Sequence, residues 1–270
     1  MTGTADAYSM ATPIGAMTTT PAASYRWSRP TPGRRRRCGA ARCVLDIDDD
    51  EAQLCRIDEA CIYFVTGNTM KEREVNALLS EVDDLPFRVS HVDIDLPELQ
   101  GDALEIARKK CMDAAEEVDN AVLVEDTSLC FTALNGLPGP YIKWFVETVG
   151  NEGLYSMLAN YTDHSAYCQC VLGFSAGPGA EPLLFVGRTA GTIVAPQAGS
   201  GFGWDAIFIP EGHEQTFSKM QLEQKNQISH RAHALRQLVA YLQSHGDAVV
   251  EAIENGGGDL EPAPKAFDTA

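Results

Sequence analysis

Two short apolar runs constrain the fold more than any other feature of the chain. Cys61-Ile62-Tyr63-Phe64-Val65 is β-rich and of strand length, and Ala121-Val122-Leu123-Val124 reads as a buried strand ending at Glu125-Asp126. Helical patterns lie between them. Val75, Leu78, Leu79 and Val82 form one apolar stripe, with Thr69 and Glu72 at capping-box spacing at its start, and a second helix fits Asp102 to Val118. Further on, Asn135–Pro140 is a loop rich in Gly and Pro, followed by an aromatic segment Tyr141–Val149. Strands are predicted over Ala166–Ser175 and Pro182–Thr189. A Gly-rich loop, Pro196–Gly203, leads into a strand Ala206–Ile209. A last helix runs from about Ser229 to Ser244, with Ile228, Leu235, Leu238, Val239 and Leu242 as its apolar face and Gly246 as its stop. Strands alternating with helices predict an α/β domain with a substantial sheet.

Charge separates this body from what precedes it. The chain of 270 residues has a net charge of −17, yet residues 1–45 hold seven Arg and one acid, a net of +6, so the remaining 225 carry −23. So acidic a body repels phosphate backbones, which argues against a nucleic-acid coat protein; a phosphate-bearing ligand would need local cations or a metal. No run approaches the ~18 apolar residues of a membrane span, so neither a membrane nor nucleic acid is an expected partner. Residues 1–45, rich in Thr, Ala, Ser, Pro and Arg, resemble an organelle transit peptide, with a plain disordered tail as the alternative. The expected organisation is a disordered extension over 1–55, a folded domain over 56–250, and a flexible tail over 251–270. The eight Cys form no CxxC pair, which fits reduced, buried thiols in an intracellular compartment better than a disulfide framework or a zinc site.

Four places carry residues suited to chemistry. Thr66-Gly67-Asn68-Thr69-Met70-Lys71 joins a strand to a helix N-terminus, where free N–H groups and the dipole suit an anionic oxygen; the Walker A spacing is absent. Glu125-Asp126 at a strand end, with Glu98 in Ile94–Gly101, could share a Mg²⁺ ion, and a carboxylate beside a metal can serve as base for a hydrolytic water. Phe202-Gly203-Trp204-Asp205 offers two rings for stacking on a planar base, unless both rings are core. In Lys225–Arg231, Ser229 is an N-cap and Arg231 falls in a first helical turn, where its charge is misplaced unless an anion or carbonyl faces it. His230 and His233 lack a third ligand at metal spacing.

Taken in order, Thr66-Gly67-Asn68-x-x-Lys71, Ile94–Gly101, Val124-Glu125-Asp126-Thr127, Gly136–Phe145, Phe202–Asp205 and Ser229-His230-Arg231 closely resemble the inosine triphosphate pyrophosphatase family in its eukaryotic form, over about residues 60–244. The resemblance implies an elongated mixed α/β fold of two lobes with a central cleft, a homodimer, and a cytoplasmic enzyme unless residues 1–45 direct it to an organelle. It implies Mg²⁺-dependent hydrolysis of ITP, dITP and XTP to the monophosphate and pyrophosphate, with Mn²⁺ as a substitute metal. By matching position, Thr66 to Lys71, Lys110, Thr127 and Lys225 would hold the phosphates and nearby groups. Glu98 and Asp126 would bind the metal, and Asp126 would accept the proton of the attacking water, with Glu125 supporting it. Phe202 to Asp205, His230 and Arg231 would hold the base, and the Arg231 guanidinium would donate to a 6-keto oxygen while disfavouring the amino group of adenine. Two departures stand out. Met70 occupies a position where the family often has a second Lys, and Gln224 replaces an acid before Lys225. A pyrophosphatase of different base preference and a non-catalytic nucleotide-binding protein are the alternatives.

Overall fold

The structure, a computed structural model, describes residues 60–80, 82, 87–197 and 202–262, all within the unit Gln53–Ala270. The predicted extension over 1–55, the domain start at 56, Cys38, Cys43 and Cys55, and part of the Gly-rich loop lie outside these residues.

Strand β1 (Ala60–Val65) pairs in parallel with β2 (Phe87–Val92) on one side and with the first residues of β3 (Val122–Phe131) on the other. Helices α1 (Thr69–Leu79) and α2 (Ala103–Val118) lie in the crossover stretches that parallel pairing requires. Beyond them the sheet is antiparallel. β3 pairs with β5 (Ser165–Ser175), β5 with β6 (Leu183–Ile193), and β6 with the short β7 (Phe208–Pro210). The order is β2-β1-β3-β5-β6-β7, with the two-residue β4 (Pro138–Gly139) against the far end of β3. The predicted α/β class thus takes the form of a mixed seven-stranded sheet.

The period-2 alternation of strands divides the core between two faces. Ile62, Phe64 and Leu123 point to one face, where they pack with Val75 and Leu78 of α1 and with α5 (His230–Ser244). Val65, Val122 and Val124 point to the other, against Cys111, Ala114 and Ala115 of α2. A third cluster lies below the far half of β3 and β5, where Leu129, Phe131 and Cys168 meet α3 (Ile142–Ser156), Trp204, Phe208 and Phe217. Each fully buried Phe or Leu contributes about 1.5–3 kcal/mol. Helix α5 lies unusually close to β6 because Gly187 has no side chain: a Cβ there would fall 2.0 Å from the His230 carbonyl oxygen.

Several boundaries differ from the sequence expectation. The N-cap of α1 is Asn68, not Thr69: its side chain accepts from Met70 N and Lys71 N. β3 does not end at Glu125-Asp126 but continues to Phe131, because β5 pairs with it along its whole length after β1 has stopped. The aromatic segment after Tyr141 is α3, with Gly150 at φ 65° inside it. The predicted strand over Ala206–Ile209 begins as a 3₁₀ turn, Asp205–Ile207. A short helix, α4 (Leu222–Ile228), precedes α5. Gly246 ends α5 but opens α6 (Gly246–Glu254), so the expected tail boundary at 250 falls inside a helix. The following stretch also packs, Tyr241 donating its hydroxyl to the Glu261 carbonyl at 2.7 Å. Cys111, Cys130, Cys168 and Cys170 are buried free thiols, as expected, and Cys61 is half-buried. No helix among the described residues is long and apolar enough to cross a membrane.

Candidate active site

Where β1 stops at Val65, β3 continues without a parallel neighbour, and the chain turns through Thr66-Gly67-Asn68 into α1. This break in pairing opens a cleft of about 810 Å³. Its floor is β3 and its walls come from the loop after β2, from α2 and α3, and from the segments around Phe202 and Arg231. Every residue to which the resemblance gives a catalytic, metal or substrate role lines it: Thr66 to Lys71, Glu98, Lys110, Glu125 to Thr127, Phe202 to Asp205, Lys225, His230 and Arg231. Convergence is therefore complete, but the side chains divide the work differently from the expectation.

Glu125 and Asp126 are consecutive on a strand and so face opposite sides of the sheet. Glu125 points towards α1 and α5 and is wholly buried. Its Oε2 accepts from Arg231 Nε at 2.6 Å, and its Oε1 accepts from Arg231 Nη2 at 3.0 Å and from Thr127 Oγ1 at 2.8 Å. Burial alone would raise its carboxyl pKa. The Arg231 and Lys71 charges and these hydrogen bonds outweigh that and hold it far below the usual carboxylate range. Glu125 is thus a fixed anion with both oxygens occupied, suited to positioning its neighbours. Lys71 donates to its backbone carbonyl at 3.1 Å and lies 3.3 Å from its Oε1.

Asp126 points the other way, to α2, where Lys110 Nζ donates to its Oδ1 at 2.8 Å. Its Oδ2 is buried and has no hydrogen-bond partner among the described residues. Glu98, on the loop after β2, accepts from Lys143 of α3 at 2.6 Å. Burial, which would raise the Glu98 pKa, is outweighed by that bond and by the Lys110 and Lys71 charges, so the carboxyl sits below its ordinary value. No group of three His, Cys, Asp or Glu stands ready for a metal among the described residues.

The opposite end of the cleft is a buried ionic cluster. Lys225 Nζ donates to Glu74 Oε1 at 2.9 Å and to Asp205 Oδ2 at 2.7 Å, while Arg231 Nη1 donates to Glu74 Oε2. Three positive charges, Lys71, Lys225 and Arg231, face three negative ones, Glu74, Glu125 and Asp205, so the buried charge balances. Arg231 Nε, Nη1 and Nη2 each donate one hydrogen bond to a carboxylate, and its side chain is buried; three of the five guanidinium N–H donors are engaged. Lys225 likewise gives two of its three ammonium N–H donors to carboxylates. Gln224 is exposed on α4, and the acid that its position lacks is supplied to Lys225 by Glu74 and Asp205.

Asp205 also shapes the loop before it. Its Oδ2 accepts from Phe202 N at 3.2 Å and its own N–H donates to the Phe202 carbonyl at 3.0 Å, a tight turn with Gly203 at φ 59°. The two rings separate. Phe202 is 42% exposed at the mouth, while Trp204 is 7% exposed and packs on Phe208, Phe217 and His230. His230 is buried between these rings and the sheet. Its Nδ1 lies 3.2 Å from Cys168 Sγ, and its Nε2 is buried without a partner among the described residues. Burial, then the Arg231 and Lys225 charges, hold its pKa well below the ordinary value, so the ring is neutral.

The proposed phosphate cradle is partly self-satisfied. Asn68 Oδ1 takes the Met70 and Lys71 amides at 3.0 and 3.2 Å, so Met70 contributes no free backbone donor. Gly67 leaves room for Asp93, whose Oδ1 would lie 2.9 Å from a Cβ at this position. Sequence reasoning missed Glu74, Asp93, Lys143 and Asn151, whose Nδ2 donates to the Gly203 carbonyl at 3.0 Å and braces the aromatic turn. Only Glu74 left a signal: it is an acid beside Val75 on the buried stripe of α1.

The sequence profile of the Ham1 family matches residues 62–241. Among solved structures, the Ham1 protein of Staphylococcus aureus is 28% identical, with a TM-score of 0.59 over 68% of this chain and 99% of its own. A HAM1 protein from Coxiella burnetii is 26% identical with a TM-score of 0.60 over the same shares. The nucleoside-triphosphatase, dITP/XTP pyrophosphatase, of Mycobacterium abscessus is 25% identical with a TM-score of 0.52, over 66% of this chain and 98% of its own. With two thirds of its length matched by the profile, and solved Ham1 structures sharing its fold, the chain belongs to the Ham1 family.

Proposed function

We propose that this chain is a nucleoside-triphosphate pyrophosphatase that hydrolyses ITP, dITP and XTP to the monophosphate and pyrophosphate and so clears deaminated purines. The observation that carries this reading is convergence: Lys71, Glu98, Asp126, Phe202 and His230 come from separate segments and line one cleft. Ham1 membership and the likeness to a dITP/XTP pyrophosphatase support the same chemistry.

Water attacks the α-phosphorus, the Pα–O bond to the β-phosphate breaks, and pyrophosphate leaves. Asp126 is the proton acceptor. Lys110 donates to its Oδ1 and so orients the carboxylate in the cleft. The residues present suit a divalent cation: Asp126 keeps an unpartnered buried oxygen, and Glu98 is an anion on the facing loop. Mg²⁺ needs only one or two protein carboxylates, with waters and substrate phosphates as its remaining ligands. When bound by Glu98 and Asp126, Mg²⁺ (or Mn²⁺) supplies charge neutralisation on the triphosphate. Lys71, Lys110 and Lys143 on the walls add to it, offsetting the acidic field of the body. Phe202 at the mouth supplies a stacking face, worth about 1–3 kcal/mol per base. The reading carries with it a homodimer acting in the cytoplasm, testable by sedimentation of the full chain and by cell fractionation.

The test is pyrophosphate and monophosphate release from ITP, XTP, ATP, GTP and modified pyrimidine triphosphates, with Mg²⁺ or with chelator. Fast metal-dependent turnover of ITP and XTP alone is expected. Preference for another base, or ITP binding without turnover, would replace this reading with one of its alternatives.

A further inference from the structure

We propose that Cys168 fixes the tautomer of His230, keeping the ring proton on Nδ1 so that Nε2 offers a bare lone pair to the edge of a bound purine; the inference rests on reading the cleft as a purine triphosphate site.

The argument starts from proton counting. Cys168, on β5, is fully buried. Its Sγ donates to the Thr189 carbonyl at 3.6 Å, lies 3.2 Å from His230 Nδ1, and also meets the Thr189 side chain. A thiol has one proton, and burial pushes its pKa far up, so that proton stays on sulfur. A carbonyl can only accept, whereas a neutral imidazole nitrogen can do either. The Thr189 hydroxyl gives its proton to the Ile228 carbonyl at 2.7 Å, so both Thr189 oxygens are acceptors towards the thiol; with S–H donated to Thr189, Nδ1–H donates to sulfur. Nε2, across the ring, is then an acceptor. It is buried and lacks a partner among the described residues, a state that costs about 1–3 kcal/mol unless a ligand supplies a donor.

The chemistry of purines says which ligand does. A 6-keto purine carries a proton on N1, which can donate to Nε2. Adenine has a lone pair on N1, so two acceptors would face each other. His230 thereby reads the N1 proton that hypoxanthine and xanthine share. Cys168 touches no substrate atom; it is a positioning residue that acts through His230.

The experiment has two arms on the full chain. In the first, long-range ¹H–¹⁵N correlation of the ligand-free protein reads the His230 tautomer, assigned by comparison with His230→Phe. The wild type and Cys168→Ser, whose hydroxyl can both accept and donate, should be protonated at Nδ1; Cys168→Val should shift towards protonation at Nε2. In the second, the ratio of kcat/KM for ITP over ATP should fall about tenfold in Cys168→Val, the worth of one hydrogen bond, through KM rather than kcat, with Cys168→Ser restoring it. An Nε2-protonated ring in the wild type, or a Cys168→Val protein that keeps both tautomer and ITP preference, overturns the proposal. If Cys168→Val does not fold, the wild-type and Cys168→Ser tautomers still decide it. Absence of ITP hydrolysis in the wild type would count against the function and leave the tautomer measurement to stand alone.

Discussion

Removing the Glu74 carboxylate should cost the fold about 3–5 kcal/mol, the range for breaking a buried ion pair by deleting one partner. Its two oxygens hold Lys225 and Arg231, and the side chains of all three are at most 8% exposed. In Glu74→Ala, Arg231 keeps only Glu125 and Lys225 keeps only Asp205. A balanced cluster of three cations and three anions becomes a buried excess of one positive charge. For a domain of this size each kcal/mol lowers Tm by roughly 2–4 °C, so a fall of about 6–20 °C is expected in calorimetry or thermal circular dichroism. Pairing Glu74→Gln with Lys225→Met restores the balance, so the double variant should lose at least ~1 kcal/mol less than the sum of the singles. A Glu74→Ala protein that melts within about 2 °C of wild type would refute the reasoning, because it would mean the cluster is solvated.

Stability should fall with acidification in two stages. His230 has a folded pKa well below its unfolded value near 6.5, so the unfolded chain binds its proton first and stability is lost as pH drops below about 6.5. Glu125, also depressed, contributes stability that is present above its unfolded pKa and is lost progressively below about pH 4.5. Asp205 opposes this weakly, since burial raises its pKa despite Lys225. Urea midpoints from pH 8 to 3.5 check the sign, and His230→Phe should remove the first stage. Phe202→Ala should raise KM for ITP by about 5–150-fold with kcat little changed, the range for losing one base stack. Gly187→Ala should destabilise by about 1–3 kcal/mol, as overpacking does. The new methyl meets the backbone of α5, which cannot move without displacing His230.

Much of this architecture can be read from the chain, and what cannot has physical causes. The strands Cys61–Val65 and Ala121–Val124 and the helix after Asp102 are legible because apolar period and capping agree. The end of β3 is not. Its polar residues Glu125 and Asp126 look like a strand terminus, whereas β5 pairs past them and burial of Glu125 is balanced by charges distant in sequence. The same limit applies to Arg231. A sequence shows a cation misplaced at a helix N-terminus but not that Glu74, 157 residues away, has already answered it. Asn68 displaces Thr69 as cap because both are good caps and tertiary packing chooses between them. Gly246 illustrates that a helix stop can also be the next helix's start.

The most direct test compares ITP turnover by the wild-type chain and by Asp126→Asn in Mg²⁺, with products resolved by chromatography. The account predicts equal amounts of inosine monophosphate and pyrophosphate from the wild type. It predicts a loss of about 10²–10⁴-fold in Asp126→Asn, the usual contribution of a general base. The variant's Tm should stay close to wild type, because Asp126 makes only a part-exposed pair with Lys110. Release of orthophosphate and inosine diphosphate, or an Asp126→Asn protein as active as the wild type, would contradict it.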